Sequence, residues 1–265
     1  MTACTSVGLD AQWRVWDDHS VHWASYDLVV LRATWDYPLR RDEFVNWAES
    51  VPRLVNPADV VRWNTDKRYL RDLEGAGVPV VPTTWFSAGD AVALPVDGEY
   101  VVKPVVGAGG QDTARYRPEH ADLAAKHAER LLAQGQRVMV QPYLSAVDDL
   151  GETALLYLGG EYSHAIRKGP LLTAPHSIVD GLFRPESVGP REPSAAEREL
   201  AEQALAAVPG GAHRLLYARV DLLPGPGGAP RLLELELTEP SFFLTTAPGA
   251  AERFAEVLAR SLRPS

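Results

Sequence analysis

Leucine and glutamate alternate from Arg231 to Leu237 (RLLELEL), and this alternation constrains the fold more than any other part of the sequence. Successive side chains of a β-strand point to opposite faces of the sheet, so one face of this strand is apolar and the other is acidic. We predict that the leucines, Leu233 among them, face the core and that Glu234 and Glu236 lie together on the opposite face. The fold therefore needs a sheet that is buried on one side of this strand and holds carboxylates on the other.

A second strand, from Leu215 to Leu223, is predicted to pair with this one through the Pro/Gly-rich turn between them. Arg219 and Asp221 then share the face that carries the glutamates, and three carboxylates converge there. Like charges held this close need a proton, a basic partner or a metal ion, and oxygen ligands favour Mg²⁺ over Zn²⁺. The alternative interpretation is an edge hairpin whose charged face is solvated.

Strands and helices alternate along the chain, but hairpins interrupt the alternation, which favours a mixed α/β (α+β) class over a doubly wound sheet. Further strands are predicted at Tyr26–Arg32, Val78–Phe86, Glu99–Lys103, Arg137–Gln141, Glu152–Leu158 and Glu161–Lys168. Helices are predicted at Arg41–Val51, after an N-cap at Asn64 or Thr65, at His120–Gln134, after the capping box Ser194–Glu197, and at Gly249–Leu262. The stretch from Leu171 to Pro193 is interpreted as a long loop, and His164 and His176 are expected on loops or surfaces.

The composition limits the partners of the chain. Its 265 residues carry a formal net charge of -9, so no basic surplus is present for a nucleic-acid partner. The single cysteine, Cys4, excludes an intramolecular disulfide, and we expect a cytoplasmic protein. No apolar run approaches the ~20 residues needed to cross a bilayer, so no membrane partner is expected.

A glycine-rich stretch follows a predicted strand that ends in lysine. Lys103 ends the strand and Gly107 to Gly110 follow, where backbone N–H groups can approach anionic oxygens while the lysine supplies a positive charge. The glycine spacing matches neither a Walker A loop nor the dinucleotide fingerprint. An ordinary turn is the alternative interpretation of this segment.

The segment that leaves the next strand has the features of a slot for a nucleotide base. Gln141, Tyr143 and Leu144 lie at the strand exit, and Asp148 and Asp149 follow. Backbone groups of such a segment can bind the edge of an adenine while an acidic residue binds the ribose hydroxyls. An ordinary strand exit is the alternative interpretation.

These motifs and a few others follow one order along the chain: Asn64-Thr-Asp-Lys67, Val102-Lys-Pro104 with Gly107–Gly110, Gln141-Pro-Tyr-Leu144, Gly151-Glu152, Arg167-Lys168, Asp221 and Glu234-Leu-Glu236. This ordered set resembles the ATP-grasp superfamily, and within it the branch of bacterial glutathione synthetase and ribosomal-protein glutamate ligase. The ending from Glu234 to Leu244 (ELELTEPSFFL) and the segment from Arg32 to Tyr37 (RATWDY) look like a narrower group of ligases. That group includes the ligase that closes the ring in D-cycloserine biosynthesis. The resemblance covers nearly the whole chain, from about Gly8 onward.

The resemblance implies an ATP-grasp fold with three segments. Residues 1–63 would form a substrate-side α/β domain, and residues 64–140 and 141–265 would form two α+β subdomains that clasp ATP. Relatives usually begin with a strand and a long helix, and we expect one strand and most of a helix to be missing here.

The resemblance also implies roles for the residues at matching positions. The expected ATP-binding residues are Lys67, Lys103, Gly107, Gly109, Gly110, Gln141, Tyr143, Leu144, Asp148 and Asp149. The expected ligands of two Mg²⁺ ions that bridge the phosphates are Asp221, Glu234 and Glu236. Arg167, Lys168 and Arg219 are expected to stabilise charge on the transferring phosphoryl group, because phosphoryl transfer needs mainly positioning and charge neutralisation. Glutathione synthetase-like enzymes have an asparagine as the last metal ligand, where this chain has Glu236.

Arg32, Trp35 and Tyr37 follow the predicted strand YDLVVLR, and ligands gather at the carboxyl ends of strands in open α/β sheets. An arginine there can bind a carboxylate through two parallel hydrogen bonds. We expect these residues to form an amino-acid site together with the turn that contains Glu239 and Ser241. In the alternative interpretation, the two aromatic residues only pack and Arg32 caps a surface.

The implied reaction phosphorylates a substrate carboxylate with ATP, and a nitrogen then attacks the acyl phosphate. The partners are therefore small-molecule carboxylate and amine substrates, and the nitrogen belongs either to a second molecule or, in a ring closure, to the same one. Three alternatives stay open at this point: a small-molecule kinase on the same fold, a non-catalytic nucleotide-binding protein, and a metal-binding protein without nucleotide. The oligomeric state, a homo-oligomer included, also stays open.

Overall fold

The computed structural model describes residues 1–172, 178–179 and 187–262. Its helices are α1 Thr2–Ser6, α2 Arg41–Ser50, α3 Ala58–Asn64, α4 Tyr69–Gly75, α5 Ala121–Ala133, α6 Val147–Leu150, α7 Ala195–Ala206 and α8 Ala250–Ser261. Its strands are β1 Val29–Val30, β2 Leu54–Val55, β3 Thr84–Phe86, β4 Tyr100–Pro104, β5 Ala114–Tyr116, β6 Val138–Pro142, β7 Glu152–Leu158, β8 Glu161–Lys168, β9 Val188–Arg191, β10 Tyr217–Pro224 and β11 Pro230–Glu236. Helices and antiparallel sheets both contribute, so the predicted α+β class is confirmed.

The largest sheet in the described part of the chain is antiparallel and has the order β11-β10-β7-β8-β9. Its β7–β8 hairpin has the predicted bounds, because Gly159 and Gly160 both adopt the positive φ that a tight turn of this kind requires. The capping box that starts α7 is also formed: the Ser194 hydroxyl accepts from the backbone N–H of Glu197, and the Glu197 carboxylate accepts from that of Ser194.

Both faces of this sheet are covered over part of their area. Leu155 and Tyr157 on β7 join a core with residues of α4 and α7, whereas Leu156 and Leu158 join a second core with Phe254 and its neighbours on α8. The alternation of side chains along β7 explains this division, since successive residues face opposite layers. The face that packs on α8 is also the face that carries the charged residues of β10 and β11.

A second antiparallel sheet has the order β3-β6-β4-β5 within the described residues, and α5 packs its apolar side against it. This sheet carries Lys103 near the end of β4. Strands β1 and β2 form a short parallel pair. The strand predicted at Tyr26–Arg32 is reduced to Val29 and Val30. The three predicted segments of the chain remain a proposal, which the separation into these sheets supports.

Asn64 does not cap a helix, contrary to the prediction. It is the last residue of α3, and α4 begins only at Tyr69. The buried Asn64 amide instead binds the backbone of β11 and of the residue after it: Nδ2 donates to the Leu235 carbonyl at 2.9 Å, and Oδ1 accepts from the Leu237 N–H at 2.9 Å. Thr65, the other predicted cap, follows α3 and accepts from Arg41 Nε at 3.0 Å. These bonds fix the helical segment before Lys67 to the acidic strand.

The prediction that Leu233 faces the core is also wrong. A β-bulge interrupts the pairing of β10 with β11, so that Asp221 pairs with Glu234 while the next residue pairs with Leu232. The extra residue shifts the alternation, and Leu232 is the leucine that enters the core. Leu233 is partly exposed and faces a cavity.

The expected loop from Leu171 to Pro193 contains strand β9 where it is described, and its residues 173–177 and 180–186, with His176, lie outside the described residues. His164 is not on a loop or surface. It lies in β8, is 6% exposed, and its Nε2 hydrogen-bonds the Phe242 carbonyl at 2.9 Å. Among the described helices, none is long and apolar enough to cross a membrane.

We predict that Asn64→Ala lowers the free energy of unfolding by about 2–4 kcal/mol, because the substitution leaves a buried N–H and a buried carbonyl of the β11 segment without partners. Urea denaturation measures the loss. The control is Asn46→Ala, which changes an exposed asparagine of α2 and should leave the unfolding free energy within about 0.5 kcal/mol. Equal losses in the two variants would contradict the proposed role of Asn64.

Candidate active site

A cavity of about 230 Å³ lies between the two larger sheets. It collects most of the residues that the sequence predicts for the site. Those lining it are Trp35, Tyr37, Lys67, Lys103, Gly107, Gly109, Gly110, Gln141, Tyr143, Leu144, Lys168, Arg219, Glu234, Glu236, Glu239 and Ser241. Residues far apart in the chain, from every predicted class of site residue, therefore share one cavity.

Five predicted site residues do not line this cavity. Arg32 lies on a second cavity, Arg167 binds backbone carbonyls, and Asp148 and Asp149 lie on the short helix α6. Asp221 is fully buried beneath the site.

The three predicted metal ligands form a compact group. One carboxylate oxygen from each of Asp221, Glu234 and Glu236 lies within 4.8 Å of the other two. They meet because β10 and β11 pair with Asp221 opposite Glu234, and because residues two apart on a strand share a face. The predicted acidic face is thus formed, and it borders a cavity between sheets and not the outer surface of an edge hairpin.

Two cations neutralise the buried Asp221. Arg219 donates to it from Nε and Nη2, each at 2.8 Å, and Lys168 donates from Nζ at 2.8 Å. Burial alone would raise the pKa of Asp221, but the charges of Arg219 and Lys168 outweigh burial and hold that pKa below its usual range. Asp221 therefore stays ionised, and it fixes both cations at the floor of the cavity.

The two glutamates of β11 differ in their protonation. Burial raises the pKa of Glu236 to about 7, although Arg219 forms an ion pair with it. Burial also disfavours the charge of Glu234, but Lys67 at 3.2 Å and Lys103 together lower its pKa. A divalent ion would favour the charged form of both groups, because a cation close to a carboxylate stabilises its deprotonated form.

Two lysines reach the cavity from different elements. Lys67 precedes α4, and its Nζ donates to the Gly107 carbonyl at 3.0 Å besides pairing with Glu234. Lys103 makes no ion pair with any residue that the structure describes, and burial lowers its pKa to about 8 despite the opposing charge of Glu234. A buried ammonium group that faces a cavity and has no ion-pair partner among the described residues is suited to bind an anionic ligand such as a phosphate.

The glycine-rich stretch lies against the wall of the cavity. Gly109 and Gly110 adopt positive φ, which residues with a Cβ rarely do. A Cβ on Gly110 would lie 2.6 Å from Leu171 Cδ2, so the backbone also approaches its neighbour closely. The loop is tied down by hydrogen bonds of Asp112 and Thr113 with Val179, each at 3.0 Å.

The predicted adenine segment lies at the exit of β6. Gln141 is buried and its Nε2 donates to the Thr83 hydroxyl at 2.9 Å. The Tyr143 ring lines the cavity and is covered by Arg115, whose guanidinium carbon lies 3.6 Å from the ring centroid. Asp148 accepts hydrogen bonds from Tyr143 and Arg115, and so holds that arrangement from outside the cavity.

Glu152 is a carboxylate of the site to which the sequence reasoning assigned no role. It lines the cavity, forms an ion pair with Lys168, and has its pKa raised by burial to about 8. Glu152 pairs directly opposite Lys168 in the β7–β8 hairpin. A regular count outward from the Gly-Gly turn would place Arg167 there instead, because the register shifts by one residue between Leu156 and Tyr157. The sequence alone therefore carries no signal for this pair.

Arg167 is engaged next to the cavity and not in it. Its Nε donates to the Leu150 carbonyl and its Nη2 to the Asp149 carbonyl, both at 2.7 Å. These bonds satisfy carbonyls at the end of α6, and they leave Lys168, the next residue on β8, to face the site.

The segment at 32–37 contacts the turn after β11. Trp35 Nε1 donates to the Glu239 carbonyl at 3.3 Å, and Arg32 Nη1 donates to the Pro240 carbonyl at 3.4 Å. The guanidinium of Arg32 stacks on the ring of Phe242, with 3.7 Å from its carbon to the ring centroid. Arg32 thus supports the turn, while Trp35 and Tyr37 face the cavity.

The donor set fits Mg²⁺. The clustered groups offer only carboxylate oxygens, which hard divalent cations prefer, and they include no His or Cys ligand. Lys168 and Arg219 already offset the charge of Asp221, so the cluster can hold a cation without a large excess of negative charge.

Comparison with known proteins identifies the family of the chain. The family model for the N-terminal domain of D-cycloserine synthetase DcsG matches residues 1–56. The cycloserine biosynthesis protein DcsG of Streptomyces lavendulae is 40% identical over 282 residues, which span 100% of this chain and 93% of that protein. The chain belongs to the DcsG family. A crystal structure of D-cycloserine synthetase DcsG superposes with a TM-score of 0.90 at 40% identity, over 99% of this chain and 93% of that one.

More distant structures share the fold. D-alanine–D-alanine ligase from Bacillus anthracis, solved with ATP, has a TM-score of 0.56 at 16% identity, over 78% of this chain and 68% of that one. The ATP-grasp ligase PsnB, solved with Mg and ADP, has a TM-score of 0.56 at 20% identity, over 86% of this chain and 68% of that one. The predicted ATP-grasp fold is confirmed, and this DcsG-family member is an ATP-dependent ligase, as predicted.

We predict that ATP binding weakens as pH rises through 8, because Lys103 loses its proton there and the charged form binds phosphate. If the charged form alone binds, the Kd for Mg²⁺ with a non-hydrolysable ATP analogue rises about tenfold from pH 7 to pH 9. Calorimetric titration measures it. The matched control is Lys103→Arg, which stays charged and should flatten the profile. An identical pH dependence in that variant would assign the effect to another group.

We also predict that Gly151→Ala lowers the free energy of unfolding by about 1–3 kcal/mol more than Gly135→Ala. Both glycines have positive φ, but a Cβ on Gly151 would lie 2.6 Å from the Lys168 carbonyl, whereas Gly135 faces open space. The comparison by urea denaturation thus isolates the contact with β8. Equal losses would mean that the β8 backbone yields freely at this point.

Proposed function

We propose that this DcsG-family ligase closes a ring: it activates the carboxylate of a small amino-acid-derived substrate with ATP and joins it to a nitrogen of the same molecule. The observation that carries the proposal is the meeting of Lys67 and Lys103 with Glu234 and Glu236 around one cavity. The relative that covers nearly the whole chain is named a D-cycloserine synthetase, and its product contains such a ring.

The reaction has two balanced steps. A carboxylate oxygen of the substrate attacks the γ-phosphorus of ATP, the bond to the β-phosphate oxygen breaks, and ADP leaves. The nitrogen of the substrate then attacks the carbonyl carbon of the acyl phosphate. The carbon–oxygen bond to phosphate breaks, inorganic phosphate leaves with the electron pair, and the nitrogen gives up a proton.

The cationic side chains of the cavity have different roles in these two steps. Lys67 and Lys103, with the backbone N–H groups at Gly107–Gly110, bind the phosphates of ATP. Lys168 and Arg219 lie on the floor of the cavity beside the acidic cluster and stabilise charge on the transferring phosphoryl group and on the acyl phosphate. Both are held rigidly by Asp221, so they need no rearrangement as charge develops.

Two Mg²⁺ ions are assigned to the acidic cluster. Glu234 and Glu236 face the cavity and would hold them, with Asp221 contributing from beneath. Bound ions supply neutralisation of the phosphate oxygens and alignment of the transferring group. The ion pair of Glu234 with Lys67 would hold this metal ligand next to a phosphate-binding lysine.

The residues that line the rest of the cavity indicate where the adenine of ATP would bind. Gln141, Tyr143 and Leu144 are assigned to the adenine. Glu152 lines the cavity beside Lys168 and holds that lysine, whereas Asp148 supports Tyr143 and Arg115 from outside.

The amino-acid substrate is assigned to the part of the cavity lined by Trp35, Tyr37, Glu239 and Ser241. Arg32 supports this part through its contacts with Pro240 and Phe242. A cytoplasmic setting, with its supply of ATP and its reducing conditions, suits a chain that has a single cysteine.

The test is an assay with ATP, Mg²⁺ and β-aminooxy-D-alanine, the amino acid obtained by hydrolysing the ring carbon–nitrogen bond of D-cycloserine. We expect equimolar ADP, phosphate and a product that is lighter than the substrate by one water. Glu234→Gln should lower the rate of ADP release by about 100-fold or more, because it removes a charge that holds Mg²⁺. The exposed Glu129→Gln is the matched control and should keep the wild-type rate.

Other products would assign other functions. A stable phosphorylated product without a new carbon–nitrogen bond would identify a kinase. A product formed only when a second amine is added would identify an intermolecular ligase. Binding of ATP without ADP release, across a panel of amino acids and amines, would identify a non-catalytic nucleotide-binding protein.

A further inference from the structure

The carboxylate of Glu239 has no partner in the part of the chain that the structure describes. The residue is 7% exposed, and what remains exposed lines the active-site cavity. Its carbonyl accepts from Trp35, but its carboxylate makes neither a hydrogen bond nor an ion pair with any described residue. A buried charge without a counter-ion is costly, so this carboxyl either takes up a proton or is matched by a cation from outside the protein.

The nearest cations of the site are already engaged. Lys67 pairs with Glu234 at 3.2 Å, and Arg219 pairs with Asp221 and Glu236. Burial, together with the charge of Glu236, raises the pKa of Glu239 well above its usual range, as expected for a carboxyl that has no cation of its own.

The backbone around Glu239 is fixed by hydrogen bonds from several parts of the fold. Tyr217 donates to the Thr238 carbonyl at 2.9 Å, Trp35 to that of Glu239 at 3.3 Å, and Arg219 to that of Ser241 at 3.4 Å. A carboxylate held this way is preorganised, which lowers the entropy lost when a ligand binds.

A fourth metal ligand is a poor explanation for this group. The cluster of carboxylate oxygens that can share a metal ion, among the described residues, contains Asp221, Glu234 and Glu236 and not Glu239. Glu239 instead lies beside the aromatic residues Trp35 and Tyr37, which line the same cavity. Such surroundings fit an organic cation better than a hydrated metal ion.

We propose that Glu239 binds the free ammonium group of the substrate, so that the enzyme accepts α-amino acids whose amino group is unmodified. This inference rests on the proposed function, in which the carboxylate of the substrate is the group that reacts. The ammonium is then the charged group left for recognition, and its ion pair with Glu239 directs the carboxylate towards the phosphates. Substrates that lack the ammonium leave the carboxylate buried and unpaired, and they bind poorly.

The experiment compares two ligands with the full-length protein in the presence of ADP and Mg²⁺. D-cycloserine carries the amino group on its ring, and isoxazolidin-3-one is the same ring without it. Calorimetric titration of wild type should show that D-cycloserine binds about 10- to 100-fold more tightly, the range expected for a hydrogen bond to a charged group. Glu239→Gln should weaken binding of D-cycloserine by a similar factor and leave isoxazolidin-3-one unchanged.

Two controls separate recognition from folding and from catalysis. Glu129→Gln, an exposed change of the same chemistry, should keep the preference of wild type. Unchanged affinity of Glu239→Gln for ADP and Mg²⁺ would show that the nucleotide site is intact. With β-aminooxy-D-alanine and ATP, the variant should raise KM for the amino acid more than it lowers kcat.

The inference is overturned if wild type binds the two rings equally, or if Glu239→Gln retains the preference for D-cycloserine. Product formation tests the proposed function independently of this inference. Ring closure without a preference for the ammonium group would contradict the role of Glu239 and support the ligase function. A preference for the ammonium group without a new carbon–nitrogen bond would support the role of Glu239 and contradict the ligase function.

Discussion

Asp221 accepts hydrogen bonds from Arg219 and Lys168 at a position from which water is excluded, and the other charged groups of the site are arranged around this contact. Lys168 extends the contact to Glu152 on β7, and Arg219 extends it to Glu236 on β11. Buried ion pairs contribute little net stability, because desolvation offsets most of their attraction, but removing one partner is costly. The network therefore serves mainly to hold cations and carboxylates at set positions across neighbouring strands.

The features that depend on local sequence were predictable. Alternation on one strand located Glu234 and Glu236, and the Gly-Gly turn and the capping box located a hairpin and a helix. The features that depend on tertiary contacts were not. Arg32 stacks on Phe242, and Asn64 binds the backbone of β11, because distant segments meet there and satisfy buried polar groups.

The same limit applies to the nucleotide pocket, where the sequence offers several acids near the exit of β6. Asp148 and Asp149 follow the exit directly, but α6 turns them away from the cavity and Glu152, at the start of β7, faces it. The direction of a side chain after a turn depends on backbone geometry that composition does not specify. The burial of Asp221 could not be predicted for a similar reason, because it depends on the position of β10 between β11 and β7 in the sheet.

The β-bulge at Asp221 and Leu222 has a consequence for how the family can tolerate length changes. Loss of the extra residue, Leu233, would restore regular pairing and leave Glu234 opposite Asp221 and Glu236 opposite Arg219. Loss of Leu235 instead would bring Glu236 opposite Val220 and direct its carboxylate into the core that Leu235 now fills. Gaps in the gene should therefore be tolerated better at the bulge than at the leucine between the two glutamates.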